Sequence, residues 1–140
     1  MSTSMGNEGP KIGVIMSDAT SSANRFVQGD ASNTTINSIV VKVATADTQI
    51  PLGITTKATT AANEPSSIQI FGLSEIEMNG STVDIGSQLV SATGGKGAVA
   101  TAEDQAAQYS GWVAMAPSTA DGDVIPCLFW PSRITEGQDD

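Results

Sequence analysis

Apolar residues alternate with polar ones along much of the chain after residue 36. In the segment INSIVVKVAT, Ile39, Val41 and Val43 fall on one face, while Val40 and Lys42 fall on the other. An apolar side chain at every second position is the pattern of a strand with one buried face. The pattern therefore predicts a protein that is built mainly from β-strands.

Further segments have strand composition and are separated by glycine and proline turn signals. They are PLGITTKA (51–58), SSIQIFGLSEIEM (66–78), QLVSATGGKGAVATA (88–102), SGWVAMA (110–116) and DVIPCLFW (123–130). Asn79-Gly80 predicts a tight hairpin with Glu75 and Glu77 on its solvent face, and Gly94-Gly95 predicts a second turn. Only TAEDQAAQ (101–108) has helical composition, so we expect at most one short helix.

An internal repeat runs through these segments. RFVQGDAS at 25–32 resembles QLVSATGG at 88–95, and the later strands correspond in the same order. Two meander-like units, about 25–72 and 88–130, would interlock into one small barrel or sandwich. We therefore expect an all-β single domain over residues 11–134, with a flexible arm at 1–10 and an acidic tail at 135–140.

The charge and the residue types exclude several function classes. The 140 residues carry six Lys and Arg against fifteen Asp and Glu, for a net charge of −9. Scattered cations do not form a phosphate-binding surface, so we expect neither nucleic acid nor an anionic membrane as a partner. No apolar run reaches the roughly 18 residues of a membrane span, and the first residues lack the pattern of a secretion signal.

The chain has no histidine and a single cysteine, Cys127. Ser-His and Cys-His nucleophiles, imidazole metal sites and an intrachain disulfide are thereby excluded. Within VIPCLFW, Cys127 is expected to be a small buried apolar residue. We therefore predict no enzyme activity, no cofactor and no metal site, and the lone cysteine favours synthesis in a reducing cytoplasm.

Three other features admit a chemical interpretation beside a structural one. Asp121 and Asp123 could bind calcium, although a turn into the last strand is favoured. Glu75 and Glu77 could act as an acid and base pair on a sugar, but few aromatic residues are available to line a cleft. Lys96 would have to lie at a hairpin tip for the chain to be a lipoyl- or biotin-carrying barrel.

The order of motifs resembles the capsid decoration, or cement, proteins of tailed bacteriophages. The resemblance lies in RFV at 25–27, PLGI at 51–54, IQIFGLSEI at 68–76, the glycine-rich segment 83–100 and the closing segment 111–128. It covers about 110 residues and is carried by turn glycines and apolar alternation. Pro126, Cys127 and Trp130 depart from the plain aliphatic last strand of that family.

The resemblance implies a β-rich protein on the outer surface of a virus head, bound to the major capsid protein and often trimeric. Such a protein bridges capsid subunits and stabilises the head. Candidate contacts are the N-terminal segment 2–11, the strand of Pro126, and either tryptophan if it is exposed. The proline predicts that its strand is an edge strand or contains a bulge. The named candidates are Met5, Pro10, Lys11, Trp112, Pro126 and Trp130. The alternative is a carbohydrate- or surface-binding β module of a phage fibre or adhesin.

Overall fold

The protein consists of ten strands and one short 3-10 turn in the part that the structure describes. The computed structural model describes residues 10–34, 36–46, 49–101 and 111–129. The strands are β1 (Lys11–Met16), β2 (Phe26–Gly29), β3 (Val40–Val43), β4 (Gly53–Thr55), β5 (Glu64–Gln69), β6 (Gly72–Asn79), β7 (Leu89–Ser91), β8 (Gly97–Val99), β9 (Trp112–Ala114) and β10 (Asp121–Phe129), and the 3-10 turn is η1 (Thr93–Gly95). The predicted all-β fold is confirmed. The possible helix at 101–108 lies, apart from Thr101, outside the described residues.

The first five strands form a closed barrel in the order β1-β3-β2-β4-β5. β1 is parallel to β3 and antiparallel to β5, and β5 pairs with it from Lys11 opposite Gln69 to Met16 opposite Glu64. The interior is small and aliphatic. Its buried residues are Val14, Met16, Val27, Val41 and Ile68.

The last five strands form a second unit in the order β7-β8-β6-β10-β9. β6 is parallel to β8 and antiparallel to β10, as β1 is to β3 and β5. Between β7 and β9 the ladder is reduced to a single bridge, from Gln88 to Val113. The second unit therefore has the strand neighbours of the first barrel, with one weak seam.

The two units also share their register. Three contacts of the first unit recur at equivalent positions of the second. They show that Met78, Gln88 and Ser118 of the second unit are the structural equivalents of Met16, Phe26 and Thr59 of the first. The matching contacts are Met16–Val41 and Met78–Gly97, Ser21–Thr59 and Val83–Ser118, and Ala44 N–H to Phe26 O at 3.0 Å and Ala100 N–H to Gln88 O at 2.9 Å. Each structural unit begins one strand earlier than the sequence comparison placed it, at β1 and β6. The comparison also aligned Gln88 with Arg25, one residue away from its structural equivalent.

The first barrel supplies part of the core of the second unit. Phe26, Ala44 and Ile54 are fully buried in the cluster that fills the second unit. The ring centroids of Phe26 and Trp112 lie 6.2 Å apart. The Glu77 N–H also donates to the Asn24 carbonyl at 3.0 Å, which joins β6 to the chain before β2. The two units therefore share one hydrophobic core.

The two turn predictions had different outcomes. Gly94 and Gly95 have φ of 74° and 77° and join the antiparallel pair β7 and β8, as predicted. The predicted hairpin at Asn79-Gly80 is wrong, because β6 already has β8 and β10 as its two neighbours. Gly80 has φ of 99°, and at this residue the chain turns away from the direction of β6, which ends at Asn79. A type I′ turn would need positive φ at Asn79 as well.

Of the two predicted alternatives for the strand of Pro126, the edge position is wrong, whereas a bulge or irregularity is present in that strand. β10 pairs with β6 on one side and with β9 on the other. The irregularity in β10 falls between Asp121 and Val124 rather than at the proline. The Met115 N–H donates to the Pro126 carbonyl at 2.9 Å, just after β9 ends at Ala114. Proline has no N–H to donate to a neighbouring strand. In β10 the position of that absent donor lies just beyond the end of β9, where the ladder has already ended.

We predict that Phe26→Ala destabilises the whole protein, because it removes a ring from the shared core. Replacing a buried phenylalanine by alanine costs about 3–5 kcal/mol of the free energy of unfolding. Urea unfolding followed by far-UV circular dichroism measures that loss. Phe71→Ala is the control, since Phe71 is 49% exposed and should cost much less. Equal effects of the two variants would contradict the role assigned to Phe26.

Candidate functional site

The six contact candidates from the sequence do not form one site. Met5 and Trp130 lie outside the described residues. Pro10 and Lys11 are exposed at the start of β1, where the Pro10 carbonyl accepts the Ile70 N–H at 3.2 Å. Trp112 is fully buried between the rings of Phe26 and Phe129 and reaches no surface of the chain. Of the four described candidates, Pro126 is half-buried on the second unit, away from the two residues of β1.

One end of the first barrel has an apolar surface that the sequence analysis did not predict. β2 ends there, and β3 and β4 begin there, because both are antiparallel to β2. The exposed side chains, which we call the mouth surface, are Ile36, Ile39, Ile50 and Leu52. Ile36 is 92% exposed. The sequence patterns placed Ile36 and Ile39 in one predicted strand segment and Leu52 in another, whereas in the structure these residues precede β3 and β4.

A groove of about 400 Å³ lies beside the mouth surface. It is lined by Ile39 and Leu52 and by the polar loop that follows β2. Asp30 lines it too, and hydrogen bonds from Ser32 and Ser17 lower the pKa of this carboxyl. Lys42 lies close enough to Asp30 to contribute to that shift. The mouth surface thus combines an apolar centre with few charges.

A second apolar surface lies on the outside of β9 and β10. Ala114, Ile125 and Cys127 point into the core, so the residues that alternate with them point outward. These outward residues, which we call the outer face, are Val113, Met115, Val124, Pro126 and Leu128. Met115 and Val124 are 42% and 46% exposed. Pro126 and Val124 lie opposite Glu75 and Glu77 of β6, so the outer face is flanked by acids.

A network of ion pairs joins the two units beside these strands. Arg25 contacts Glu77 at 3.1 Å, and Lys96 contacts Glu77 at 3.4 Å and Asp121 at 2.8 Å. Arg25 also donates to the Gly94 carbonyl at 2.8 Å. Hydrogen bonds to Asp121 and then to Glu77 raise the pKa of Lys96. The structure therefore places Glu77 in a network between the units, whereas the sequence predicted a solvent-facing glutamate.

The ion pairs argue against Glu77 as a catalytic acid or base and against Lys96 as a carrier lysine. A sugar-cleaving pair would need Glu77 available as an acid or a base, but Arg25 and Lys96 both hold its carboxylate. A carrier lysine would need to extend from a hairpin tip. Lys96 instead folds back onto Asp121 and Glu77.

Asp123 stabilises the turn before β10 rather than binding a cation. Its carboxylate accepts the N–H groups of Ala120 and Thr119 and the hydroxyl of Ser118. These bonds, first of all that from Ala120, lower the pKa of Asp123. Glu64 accepts the N–H groups of Thr60 and Ala61 at the equivalent turn before β5. Within the described ranges, no three Asp, Glu, Cys or His side chains are grouped as metal ligands.

Cys127 is buried inside the second unit, as predicted. Burial, and then the charge of Glu75, raise the pKa of its thiol. A thiol kept protonated in this way is a poor nucleophile. In the part of the chain that the structure describes, no helix has the length and apolarity needed to cross a membrane.

Comparisons with known proteins give a likeness in fold. No protein-family profile matches the sequence, and no curated protein is similar to it. Among solved structures, the chain is similar to the head fiber gp8.5 N base of bacteriophage phi29, with a TM-score of 0.65 and 12% sequence identity. The match covers 91% of this chain and 98% of the phi29 chain. At this identity the likeness shows a shared fold, and the coverage is wide enough to include both units.

We predict that Asp123→Ala lowers the melting temperature by a few degrees near neutral pH and by much less in acid. The pKa of Asp123 is lower in the folded state, so its stabilising effect is present above the unfolded value near 3.8. That effect is lost as the pH falls through the folded pKa. Glu64→Ala should behave in the same way, because its pKa is also lowered. Melting curves at both pH values test this, and an equal loss at each would contradict it.

Proposed function

We propose that this chain is a structural protein of a tailed-phage virion that binds the outer surface of the head and stabilises it by bridging major capsid protein subunits. The observation that carries the proposal is the likeness of the whole two-unit fold to a phage head fiber base. The order of sequence motifs, which resembles decoration proteins, points to the same place in a virion. The two likenesses rest on different properties of the chain.

The surface of the described chain suits binding better than catalysis. Its acids are held in turns and ion pairs, and its cysteine is buried. Of the eight large apolar side chains that are exposed in the described residues, six lie on the mouth surface or the outer face, and Phe71 and Ile85 lie elsewhere. A protein that binds two neighbouring subunits adds a free energy that must be overcome before the subunits separate.

The base of a head fibre is a second candidate, and the phi29 likeness favours it directly. Such a base would attach a fibre to the head. The carbohydrate-binding form of this alternative needs exposed aromatic rings. Among the described aromatic residues, Phe26 and Trp112 are buried, Phe129 is half-buried and Phe71 is 49% exposed. Phe71, with Phe129 beside it at a ring-centroid distance of 6.5 Å, is the described aromatic side chain available for stacking on a sugar. A glycan screen would test that form.

We predict that the purified protein co-sediments with mature phage heads that lack it, at a fixed ratio to the major capsid protein. A decoration protein should bind in many copies and raise the temperature at which the heads release DNA. A fibre base should bind in few copies and leave that temperature unchanged. Immature proheads are the control for a surface that is specific to the mature head. Absence of binding to any head would contradict both candidates.

The N-terminal segment 2–11 remains a proposed capsid contact. It reaches the barrel at Pro10, at the end where the mouth surface lies. We predict that a chain lacking residues 2–9, which keeps the Pro10 carbonyl bond to Ile70, folds normally and binds heads at least tenfold more weakly. Co-sedimentation over a range of concentrations measures this. Undiminished affinity would remove the segment from the contact.

A further inference from the structure

We propose that Asn79, in the turn after β6, is a site of spontaneous covalent modification at which the folded chain converts asparagine to aspartate and isoaspartate. The main-chain nitrogen of Gly80 attacks the Asn79 side chain, and water then hydrolyses the product. The inference concerns the chemistry of one turn and does not depend on attachment to a phage head. It rests on the conformation of the turn, on the exposure of the asparagine and on its neighbours in β10.

The first step is that the turn holds the asparagine side chain against the main chain. Asn79 is exposed at the end of β6. Its Oδ1 accepts the Ser81 N–H at 3.0 Å, so the side chain bends back along the peptide bond that joins Asn79 to Gly80. This arrangement is an Asx turn. It keeps the Asn79 Cγ close to the Gly80 nitrogen, and holding two reacting atoms together lowers the barrier to their reaction.

The second step is that the Gly80 nitrogen is available to react. Within the residues that the structure describes, its N–H donates no hydrogen bond. Glycine has no side chain to shield the nitrogen, and its φ of 99° is one that residues with a Cβ rarely adopt. The other described asparagines are followed by larger residues, which are Arg25, Thr34, Ser38 and Glu64. Asn79 should therefore react before them.

The third step is the reaction itself. A bond forms between the Gly80 nitrogen and the Asn79 Cγ, while the nitrogen gives its proton to hydroxide or another base in the solvent. Oδ1 becomes negatively charged, and the Ser81 N–H, which already donates to it, stabilises that charge. The bond from Cγ to Nδ2 then breaks, and ammonia leaves a cyclic imide behind. One water opens the imide at either carbonyl, which gives aspartate or isoaspartate without any oxidation or reduction.

The product places another carboxylate at the end of the β6–β10 ladder. Asn79 is the register partner of Asp121, which binds Lys96 at 2.8 Å. Glu77, two residues before Asn79, binds the same lysine at 3.4 Å. Like charges directly opposite each other destabilise a strand pair. Isoaspartate also lengthens the main chain by one carbon before Ser81, whose hydroxyl accepts an N–H of β8 at 3.1 Å. The modification therefore weakens this end of the second unit.

The test incubates the full natural chain at neutral and at alkaline pH. The chain is then digested in acid, where the attack stops, and each asparagine is followed by mass spectrometry, because replacing an amide by an acid raises the fragment mass. The same chain in concentrated urea gives the rate without the turn. Asn79→Ser is the control variant, because serine can still accept the Ser81 N–H but carries no amide. Far-UV circular dichroism checks that the variant folds.

We expect Asn79 to convert before every other asparagine, faster at alkaline pH, and at least as fast in the folded chain as in urea. Slower conversion in the folded chain than in urea, or earlier conversion of another asparagine, would overturn the proposal.

The melting temperature of the natural chain should fall by about 1–4 °C as the conversion proceeds, whereas that of Asn79→Ser should stay constant. Differential scanning calorimetry of samples taken during the incubation measures both. An unchanged melting temperature in the fully converted chain would overturn the predicted weakening of the second unit.

Discussion

The second unit depends on side chains that belong to the first barrel. Phe26 and Ile54 are fully buried in the cluster that fills the second unit, where Phe26 contacts Trp112. Burying a side chain of this size stabilises a fold by roughly 1.5–3 kcal/mol. Where β7 meets β9, the described contacts include the bridge from Gln88 to Val113 and the backbone hydrogen bonds of Ala114 with Ser87 and Gly86. The two units are therefore packed together through a shared apolar cluster, and each has the same set of strand neighbours.

This dependence also explains how the surface of the protein is arranged. Arg25 of the first barrel contacts Glu77 and donates to the Gly94 carbonyl, so it joins the first barrel to β6 and to the β7–β8 turn. Lys96, within the second unit, contacts the same glutamate. Ile54 and Gln69 on the outer side of the first unit are fully buried, whereas Val113 and Leu128 at the equivalent positions of the second unit are half-buried. The exposed large apolar side chains of the described chain include Ile36, Ile39, Ile50 and Leu52 at one end of the first barrel and Met115 and Val124 on the second unit.

Local patterns in the sequence predicted the strands and their duplication, because side-chain alternation and turn glycines act over a few residues. Gly94-Gly95 is such a case, since the turn joins two strands that are adjacent in the chain. Asn79-Gly80 failed because the neighbours of β6 come from residues 97 and 121–129, far along the sequence. The edge alternative for the strand of Pro126 failed for the same reason, whereas the bulge alternative, which is a local feature of the strand, is met by the irregularity in β10. Which strands pair depends on packing over long distances, which no short motif encodes.

The candidate surfaces were harder to predict than the fold. Trp112 was proposed as an anchor if exposed, but a ring from the other unit covers it. Pro126 was chosen as an edge residue and instead belongs to a central strand, although its outward position places it on the outer face. The mouth surface had no regular pattern, because it is assembled from two loops. A functional surface of this kind can be found only once the chain is folded.

The central claim is that this two-unit protein is part of a phage head. The most direct measurement is cryo-electron microscopy of purified particles of the phage that encodes the chain, at a resolution that separates the two barrels. The account predicts density for both units on the outer surface of the head, in contact with the major capsid protein. Particles whose heads lack this density, or that carry it on the tail, would contradict the account.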